Sequence, residues 1–293
     1  MDNKETSKLL IVDSMALLFR GFFATSQFGR IMQTKDGLYT NALYQYTKYL
    51  MDAVKTFSPS HIVCAIDMGK KTFRNGLYPE YKANRGEPPM ELIPQFDVLQ
   101  ELIAAFDIPV IGIEGYEADD VIGTLAKKHA NEDVHVYILT GDGDALQLLD
   151  HHISVIMMKK GFGNYQMIQL EDLPSVKGVD SPEQIIELKG LMGDTADNIP
   201  GCPSVGPKTA LRLLDSHKTI DGVYANIDEI NGKLKQTLLD NKNQVYLSRQ
   251  LATINLSVPI ECNLDQCKYQ FNVDKVHSML DKLEFQSLKK WFA

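Results

Sequence analysis

The stretch 108–130, IPVIGIEGYEADDVIGTLAKKHA, decides how the chain folds. Ile108-Pro109-Val110-Ile111-Gly112-Ile113 is an apolar run that reads as a strand. Val121, Ile122 and Leu125 then recur at helical spacing, so a helix is expected over 117–131. Glu117, Asp119 and Asp120 crowd its first turn. One acid there is a cap, favoured by the helix dipole. Three within four positions repel one another, with nothing basic close before them. A cation relieves that repulsion, and hard divalent ions such as Mg²⁺ or Mn²⁺ prefer oxygen ligands. The plain alternative for this stretch alone is a solvated, over-charged N-cap.

Other acids repeat the pattern. Asp13 ends the run Leu9 to Val12, and Asp67 ends Ile62 to Ile66. Asp142 and Asp144 follow Val134 to Leu139, and Asp194 and Asp197 stand in LMGDTADNIPG. In a parallel α/β sheet the carboxyl ends of the strands share one edge, where sites form. The helix opening at Glu117 lies on that edge too. Each acid alone reads as a cap or turn residue. Together, Asp13, Asp67, Glu117, Asp119, Asp120, Asp142, Asp144, Asp194 and Asp197 are candidate metal ligands.

The chain has 293 residues, enough for one large domain or two modest ones, and 44% are hydrophobic. A net charge of −8 argues against a general nucleic-acid binder, but a carboxylate site accounts for that excess. Cys262 and Cys267 lack a second ligand pair, so zinc is not expected. No signal peptide or membrane-length apolar run is read, and a cytoplasmic setting is expected.

Strands are expected at 8–13, 61–67, 108–113, 134–139 and 153–158, with an antiparallel edge from Tyr165 to Ile168 after the turn Gly161-Phe162-Gly163-Asn164. Helices are expected at 41–57, 91–106, 117–131 and, briefly, 144–149. Tyr44, Tyr46 and Tyr49 read as core residues rather than stacking platforms. This β-α order predicts a mostly parallel sheet covered by helices. Residues 68–90 break it. Lys70, Lys71, Arg74, Lys82 and Arg85 face only Glu80 and Glu87 there, with Phe73, Tyr78 and Tyr81 interleaved. A mobile basic excursion beside the acidic edge suits phosphates and unpaired bases. After about residue 180 only helices are expected, at 183–192, 219–239, 242–254 and 273–285. The hairpin Pro203-Ser204-Val205-Gly206 leads into a helix from Pro207, with Lys208 and Thr209 in its first turn. Exposed N–H groups at a helix start hold phosphate without reading bases. Phe285, Leu288 and Trp291 are expected to dock the C-terminus.

Five blocks now resemble a known family in order: LLIVDSMALLFRGFFA (9–24), AIDMGKKTFRNGLYPEYKANR (65–85), EGYEADDVIGTLA (114–126), LTGDGDALQLL (139–149) and LMGDTADNIPGCPSVGPKTA (191–210). They look like the motifs of the bacterial 5′-3′ exonucleases and flap endonucleases, similar to the nuclease domain of DNA polymerase I and to phage T5-type enzymes. The resemblance implies a PIN-like, Rossmann-like α/β catalytic domain over 1–175 with a helical arch at about 68–95. It implies an all-α region over 176–293 with a helix-hairpin-helix (H3TH) motif at about 182–216. It places the nine acids at the family's metal-ligand positions and Lys82 and Arg85 near the scissile phosphate. Lys70, Lys71, Arg74, Tyr81, Ser204, Val205, Gly206, Lys208 and Thr209 become expected DNA contacts. Two or more Mg²⁺ or Mn²⁺ ions, and a K⁺ ion at the carbonyls of 201–206, are the implied cofactors.

The implied activity is structure-specific hydrolysis of DNA phosphodiesters by a metal-activated water, at 5′ ends, flaps, nicks and gaps. Asp119, Asp120, Asp142 and Asp144 are expected to hold the nearer metal or metals. Asp13, Asp67 and Glu117 would orient ligands, and Asp194 and Asp197 would hold a more distant ion. RNA–DNA hybrids are a further implied substrate. A stand-alone monomer passing its product between DNA polymerase and ligase is the implied setting. Two positions depart from the family pattern: Gly143 replaces a basic residue, and Pro207 an acidic or polar one. The rivals are a PIN-type ribonuclease, a catalytically weak nucleic-acid-binding scaffold and a magnesium-dependent phosphatase.

Overall fold

A computed structural model describes residues 6–26 and 31–292. The polar opening residues 1–5 fall outside the described part. In chain order the first half runs β1 (Ser7–Asp13), α1 (Ser14–Ser26), α2 (Asn41–Phe57), β2 (His61–Ala65), α3 (Phe73–Leu77), α4 (Ile93–Ala105), β3 (Val110–Ile111), α5 (Ala118–His129) and β4 (Val134–Thr140). A 3-10 turn, Gly143–Leu148, then leads to β5 (Ile153–Met158) and β6 (Tyr165–Ile168). The remainder is helical: α6 (Leu173–Lys177), α7 (Glu183–Met192), α8 (Pro207–His217), α9 (Ile220–Ala225), α10 (Gly232–Asp240), α11 (Lys242–Ala252) and α12 (Val273–Lys282).

The strands form one sheet in the order β3-β2-β1-β4-β5-β6. Every pairing is parallel except β5 with β6, which is the antiparallel edge expected from the sequence. The order runs outward from β1 in both directions. That switch point is where a parallel sheet opens a crevice at its carboxyl ends, and Asp13 is the last residue of β1. β3 is shorter than its apolar run. Pro109 offers no N–H, so only its carbonyl joins the ladder, accepting from Cys64 at 2.9 Å.

Strand alternation builds two cores. Leu9 and Ile11 of β1, with Val136 and Ile138 of β4, face α5 and a cluster that continues into α7, α8 and α9. Leu10 and Val12 face the other way, toward α1, α2 and α4. The helical half therefore shares a core with the sheet rather than closing one of its own. Its end does not stay with it either. α12, Phe285, Leu288 and Phe292 return to the second face. Phe292 seats against Phe106 with centroids 5.3 Å apart, while Trp291, expected to dock, is 41% exposed. The final 3-10 turn points its neighbour inward instead.

Two further differences have physical causes. α1 was not among the expected helices, although Leu17, Leu18, Gly21 and Phe22 bury one face. Gly21 lets α1 approach α2, because a Cβ there would lie 2.9 Å from Ala42 O and Gln45 Cβ. The single helix expected over 219–239 is α9, a 3-10 turn and α10. Asn226 and Asn231-Gly232 interrupt it and let Ile230 fold inward.

Candidate active site

Five carboxylates and two cations line a cavity of about 430 Å³ at the carboxyl edge of the sheet. Asp13 arrives on β1. Its Oδ1 accepts from the Ala16 N–H at 2.9 Å and its Oδ2 from the Thr140 hydroxyl at 2.7 Å. Asp67 follows β2 and accepts from the Ala118 N–H at 2.7 Å, so it caps α5 from outside that helix. Glu117 is the N-cap of α5, and Asp119 stands in its first turn. Asp142 follows β4 and accepts from the Asp144 N–H at 2.9 Å. Among the described residues no protein donor reaches the Asp119 carboxylate within hydrogen-bond distance.

Burial, then the charges of Asp67 and Asp142, push Asp13 up to about 6, against its hydrogen bonds from Ala16 and Thr140. Burial raises Asp119 well above the carboxylate range, with Asp13 and Asp142 adding to it. Asp67 is raised by burial, although the Ala118 N–H opposes this. These carboxylates resist ionising in each other's company, as expected where a cation is meant to sit.

Asp144 turns to a second group. Its ligand atoms and those of Asp194 and Asp197 lie within 4.8 Å of one another. The Lys189 ammonium, from the last turn of α7, contacts both Asp144 and Asp194. Burial, then Asp142, pushes Asp144 up to about 6 despite Lys189. Burial alone would raise Asp194, but the Lys189 hydrogen bond and charge outweigh it and leave Asp194 below its ordinary value. Lys189 was not singled out from the sequence, where a lysine near a helix C-terminus reads as a partner of the dipole. The expected grouping of Asp144 with Asp119 is thus replaced by a grouping with Asp194 and Asp197.

Asp120 lies outside both groups. It is fully buried, and both of its oxygens are taken. Arg74 clamps it with two bonds of 2.8 Å, and the N–H groups of Glu117 and Asn255 donate at 3.0 and 2.8 Å. Arg74 is 2% exposed and also donates to the carbonyls of Leu251 and Thr253. It is therefore a buried brace between α3, α5 and the end of α11, not a surface phosphate contact. Tyr81 is 4% exposed and offers no stacking face; its hydroxyl donates to Glu117 at 3.2 Å and Asp197 at 3.3 Å. Lys70 and Lys71 are exposed, with Lys70 paired to Glu87.

The basic excursion is strapped to the loop 194–198. The Lys82 N–H donates to Asp197 O at 2.9 Å, Asn84 to Thr195 O and Asn198 to Glu80 O, each at 2.6 Å. Lys82 Nζ sits 2.8 Å from Glu117 and 3.8 Å from Asp197, and Arg85 pairs with Asp197. Lys82 and Arg85 thus hang between the two carboxylate groups. Burial works against the charge of each. Glu117 and then Asp197 hold Lys82 charged, and Asp197 chiefly holds Arg85 charged.

The hairpin after α7 is braced by α11. The Gly201 N–H donates to Ser248 Oγ at 2.9 Å, and Gln244 donates to Gly201 O at 2.7 Å. Gly201 has φ +61, and a Cβ there would lie 2.2 Å from Gly193 N. Gly201→Ala is expected to cost about 2–4 kcal/mol from the left-handed backbone and the clash together. Urea unfolding would read this as a lower midpoint at unchanged slope; an unchanged midpoint would contradict the tight hairpin. Ser204, Gly206 and Lys208 are exposed and Thr209 half-buried. Val205 is buried, so only its backbone can face a ligand. Near Gly143 a basic group is present from elsewhere: Lys177 Nζ of α6 lies 3.1 Å from where a Cβ on Gly143 would be. Pro207 is the first residue of α8, where its missing N–H costs no bond.

The residues present fit hard divalent ions. Oxygen donors converge from separate elements, Asp119 has no protein donor, and Lys189 places a positive charge among the second group. A pH dependence follows. Between the ordinary carboxylate value of 3.8 and about 6, folded metal-free protein keeps protons on Asp13 and Asp144 that the unfolded chain releases. Stability therefore falls as pH rises through that window, and ions competing with those protons restore it. The rise in Tm on adding Mg²⁺ is expected to grow from about pH 5 to about pH 7. Melting curves in Mg²⁺ and in EDTA check this, and a pH-independent shift would contradict it.

Known proteins resemble this chain in sequence and in fold. The family described as "5′-3′ exonuclease, N-terminal resolvase-like domain" matches residues 8–172, and "5′-3′ exonuclease, C-terminal SAM fold" matches 180–275. A 5′-3′ exonuclease of Bacillus subtilis (strain 168) is 43% identical over 288 residues, covering 97% of this chain and 95% of that one. DNA polymerase I of Bacillus caldotenax is 41% identical over 282 residues, 96% of this chain but 32% of that protein. The structure of T5 5′-exonuclease with zinc ions bound superposes with a TM-score of 0.67 at 26% identity, covering 97% of this chain and 98% of that one. Flap endonuclease-1 from Methanococcus jannaschii shares the fold, with a TM-score of 0.60 at 16% identity over 98% of this chain and 91% of that one. With the resolvase-like sheet and the helical region both matched in sequence and in fold, the chain belongs to the 5′-3′ exonuclease family.

Proposed function

We propose that this protein is a metal-dependent, structure-specific 5′ nuclease acting on DNA 5′ ends and flaps. The observation that carries the reading is the pair of carboxylate groups with Lys82 and Arg85 suspended between them. Divalent ions bound there supply Lewis-acid activation of the phosphodiester and of the attacking water. Asp13, Asp119 and Asp142 would hold one ion, and Asp144, Asp194 and Asp197 another. Asp67 and Glu117 border the first position and fix the start of α5 against it. Lys82 and Arg85 neutralise Glu117 and Asp197 in the metal-free structure. Released from them, both cations can face the scissile phosphate and stabilise charge that develops in the transition state.

The finer assignments form part of this proposal. The catalytic unit covers 1–175 and the duplex-holding unit 176–293. Mg²⁺ is the working ion and Mn²⁺ its substitute. At the hairpin, protein donors already occupy the carbonyls of Gly201, Cys202 and Gly206. A K⁺ ion would therefore use those of Pro203, Ser204 and Val205. The helix start at Gly206, Lys208 and Thr209 would grip duplex phosphate without base preference. Lys208→Ala is expected to lower the slope of log K against log salt by about 0.9 for duplex DNA, leaving the cleavage position unchanged. An unchanged slope would remove Lys208 from the interface. RNA–DNA hybrids, a monomeric state, hand-over to polymerase and ligase, and a cytoplasmic setting complete the reading. Among the described residues no helix is long and apolar enough to cross a membrane.

The test is cleavage of a 5′-labelled flap on duplex DNA, beside the same flap made of RNA, in Mg²⁺, Mn²⁺ and EDTA. Metal-dependent products ending at or near the junction, better from the DNA flap, are expected. Binding with no cutting in either metal would overturn the reading in favour of a scaffold, and preference for the RNA flap in favour of a ribonuclease.

A further inference from the structure

All four cysteines are buried free thiols. Cys64 and Cys202 each lack a thiol neighbour, and burial pushes both above the ordinary range, Cys64 to about 11. Cys262 and Cys267 differ. Their sulfurs lie 3.5 Å apart across the 3-10 turn Leu264–Cys267. Beside Cys262 stands His129, the last residue of α5, which is 8% exposed and whose Nε2 has no hydrogen-bond partner. The hydrogen bond shared by the two sulfurs, and then the His129 ring, hold the Cys262 thiol below its ordinary range, while Cys267 is held above its own by that hydrogen bond and by burial. The thiolate is the reactive form of cysteine, so one sulfur of the pair is a nucleophile and the other waits beside it.

We propose that Cys262 and Cys267 are a redox-active dithiol that closes to an intramolecular disulfide on exposure to a hydroperoxide, with His129 taking the first proton. The Cys262 sulfur attacks the terminal peroxide oxygen. The O–O bond breaks, an S–O bond forms, and the alcohol (or water, from hydrogen peroxide) leaves with the proton. The Cys267 sulfur then attacks the sulfenic acid. The S–S bond forms, the S–O bond breaks, and water leaves. Two thiols have lost two electrons and two protons, and the peroxide has taken them up.

The bridge would act on a joint of the fold. Residues 260–269 pass from the helical half back to the second face of the sheet. Lys128 donates to Ile260 O at 3.2 Å, and Tyr269 N donates to Ser60 O at 2.9 Å, just before β2. This is the opposite end of α5 from Glu117 and Asp119, so closing the bridge staples the crossover without reaching the carboxylates.

The test treats the intact protein with hydrogen peroxide at neutral pH, alkylates it in denaturant and maps its peptides. The expected result is one peptide holding Cys262 and Cys267, lighter by two hydrogens and unalkylated, with Cys64 and Cys202 fully alkylated. Dithiothreitol restores alkylation, Cys262→Ser leaves Cys267 alkylated, and His129→Gln slows closure at least tenfold. Oxidation of Met90, which is 83% exposed, verifies that the dose was sufficient. Both thiols alkylated after that dose would overturn the proposal. So would zinc released by a mercurial reagent, because the pair would then be metal ligands. Flap cleavage by the oxidised protein is expected to be unchanged, so this result stands or falls apart from the nuclease reading.

Discussion

Asp144→Asn is expected to abolish flap cleavage while duplex binding stays near the parent value. The substitution keeps the shape of the side chain and removes one negative charge from the group it forms with Asp194 and Asp197. A metal ion's stabilisation of a phosphoryl transition state amounts to several kcal/mol, so a loss of about 10³-fold or more is expected, at about 1.4 kcal/mol per decade. Binding should survive because the proposed duplex grip lies at the hairpin and α8, on other residues. Stability should rise. Asp144 is pushed up to about 6 mainly by burial and by Asp142, so its ionised form is disfavoured in metal-free protein at neutral pH. An uncharged amide removes that cost. A variant that is inactive, equally tight on DNA and higher in Tm than its parent in EDTA would establish the role. Lost binding with retained activity would remove Asp144 from the metal group.

Arg74→Ala carries the largest expected loss of stability. Arg74 is 2% exposed and Asp120 fully buried, and the substitution strips two 2.8 Å bonds from an Asp120 that cannot reach water. It also removes the donors to Leu251 O and Thr253 O. Removing one partner of a buried pair costs about 3–5 kcal/mol, because the remaining charge is left unpaired. The double substitution Arg74→Met with Asp120→Leu is expected to recover only part of that loss, because it leaves no buried charge behind but orphans the N–H groups of Glu117 and Asn255 and the carbonyls of Leu251 and Thr253. If Arg74 were instead a phosphate contact, its alanine variant would melt like the parent and lose DNA affinity.

That second prediction exists because the sequence misleads at Arg74. Composition says that residues 68–90 are basic and aromatic, but it cannot say which way each side chain turns. Lys70 and Lys71 turn outward, whereas Arg74 and Tyr81 turn in toward Asp120 and Glu117. The partner of a buried charge is a long-range fact, and Asp120 lies 46 residues from Arg74. The same limit hides Lys189. Its place in α7 was legible, but its contact with Asp144, 45 residues earlier, depends on how α7 packs beside the sheet.

The sheet was legible because its signals are local. Apolar runs ending in Asp, alternating with helical periodicity, indicate a mostly parallel sheet and the edge that carries the acids. Elements went wrong where short-range signals conflict. The periodicity of α1 is diluted by Arg20 and Gly21, yet Gly21 is what allows its close contact with α2. At the C-terminus both Trp291 and Phe292 are apolar, and only the turn geometry selects Phe292 for the core. The acidic edge was legible as an edge. A nearer and a more distant group were expected, but not that Asp144 joins Asp194 and Asp197, because Asp142 and Asp144 are two residues apart and face different neighbours.

The most direct test of the central claim, that the acidic edge is a binding site for divalent ions, is anomalous scattering from crystals soaked in Mn²⁺. One peak is expected in the cavity between Asp13, Asp119 and Asp142, and a second among Asp144, Asp194 and Asp197 with Lys189 moved aside. Both should vanish in EDTA. Peaks confined to other carboxylates, or no peaks at saturating Mn²⁺, would contradict the account.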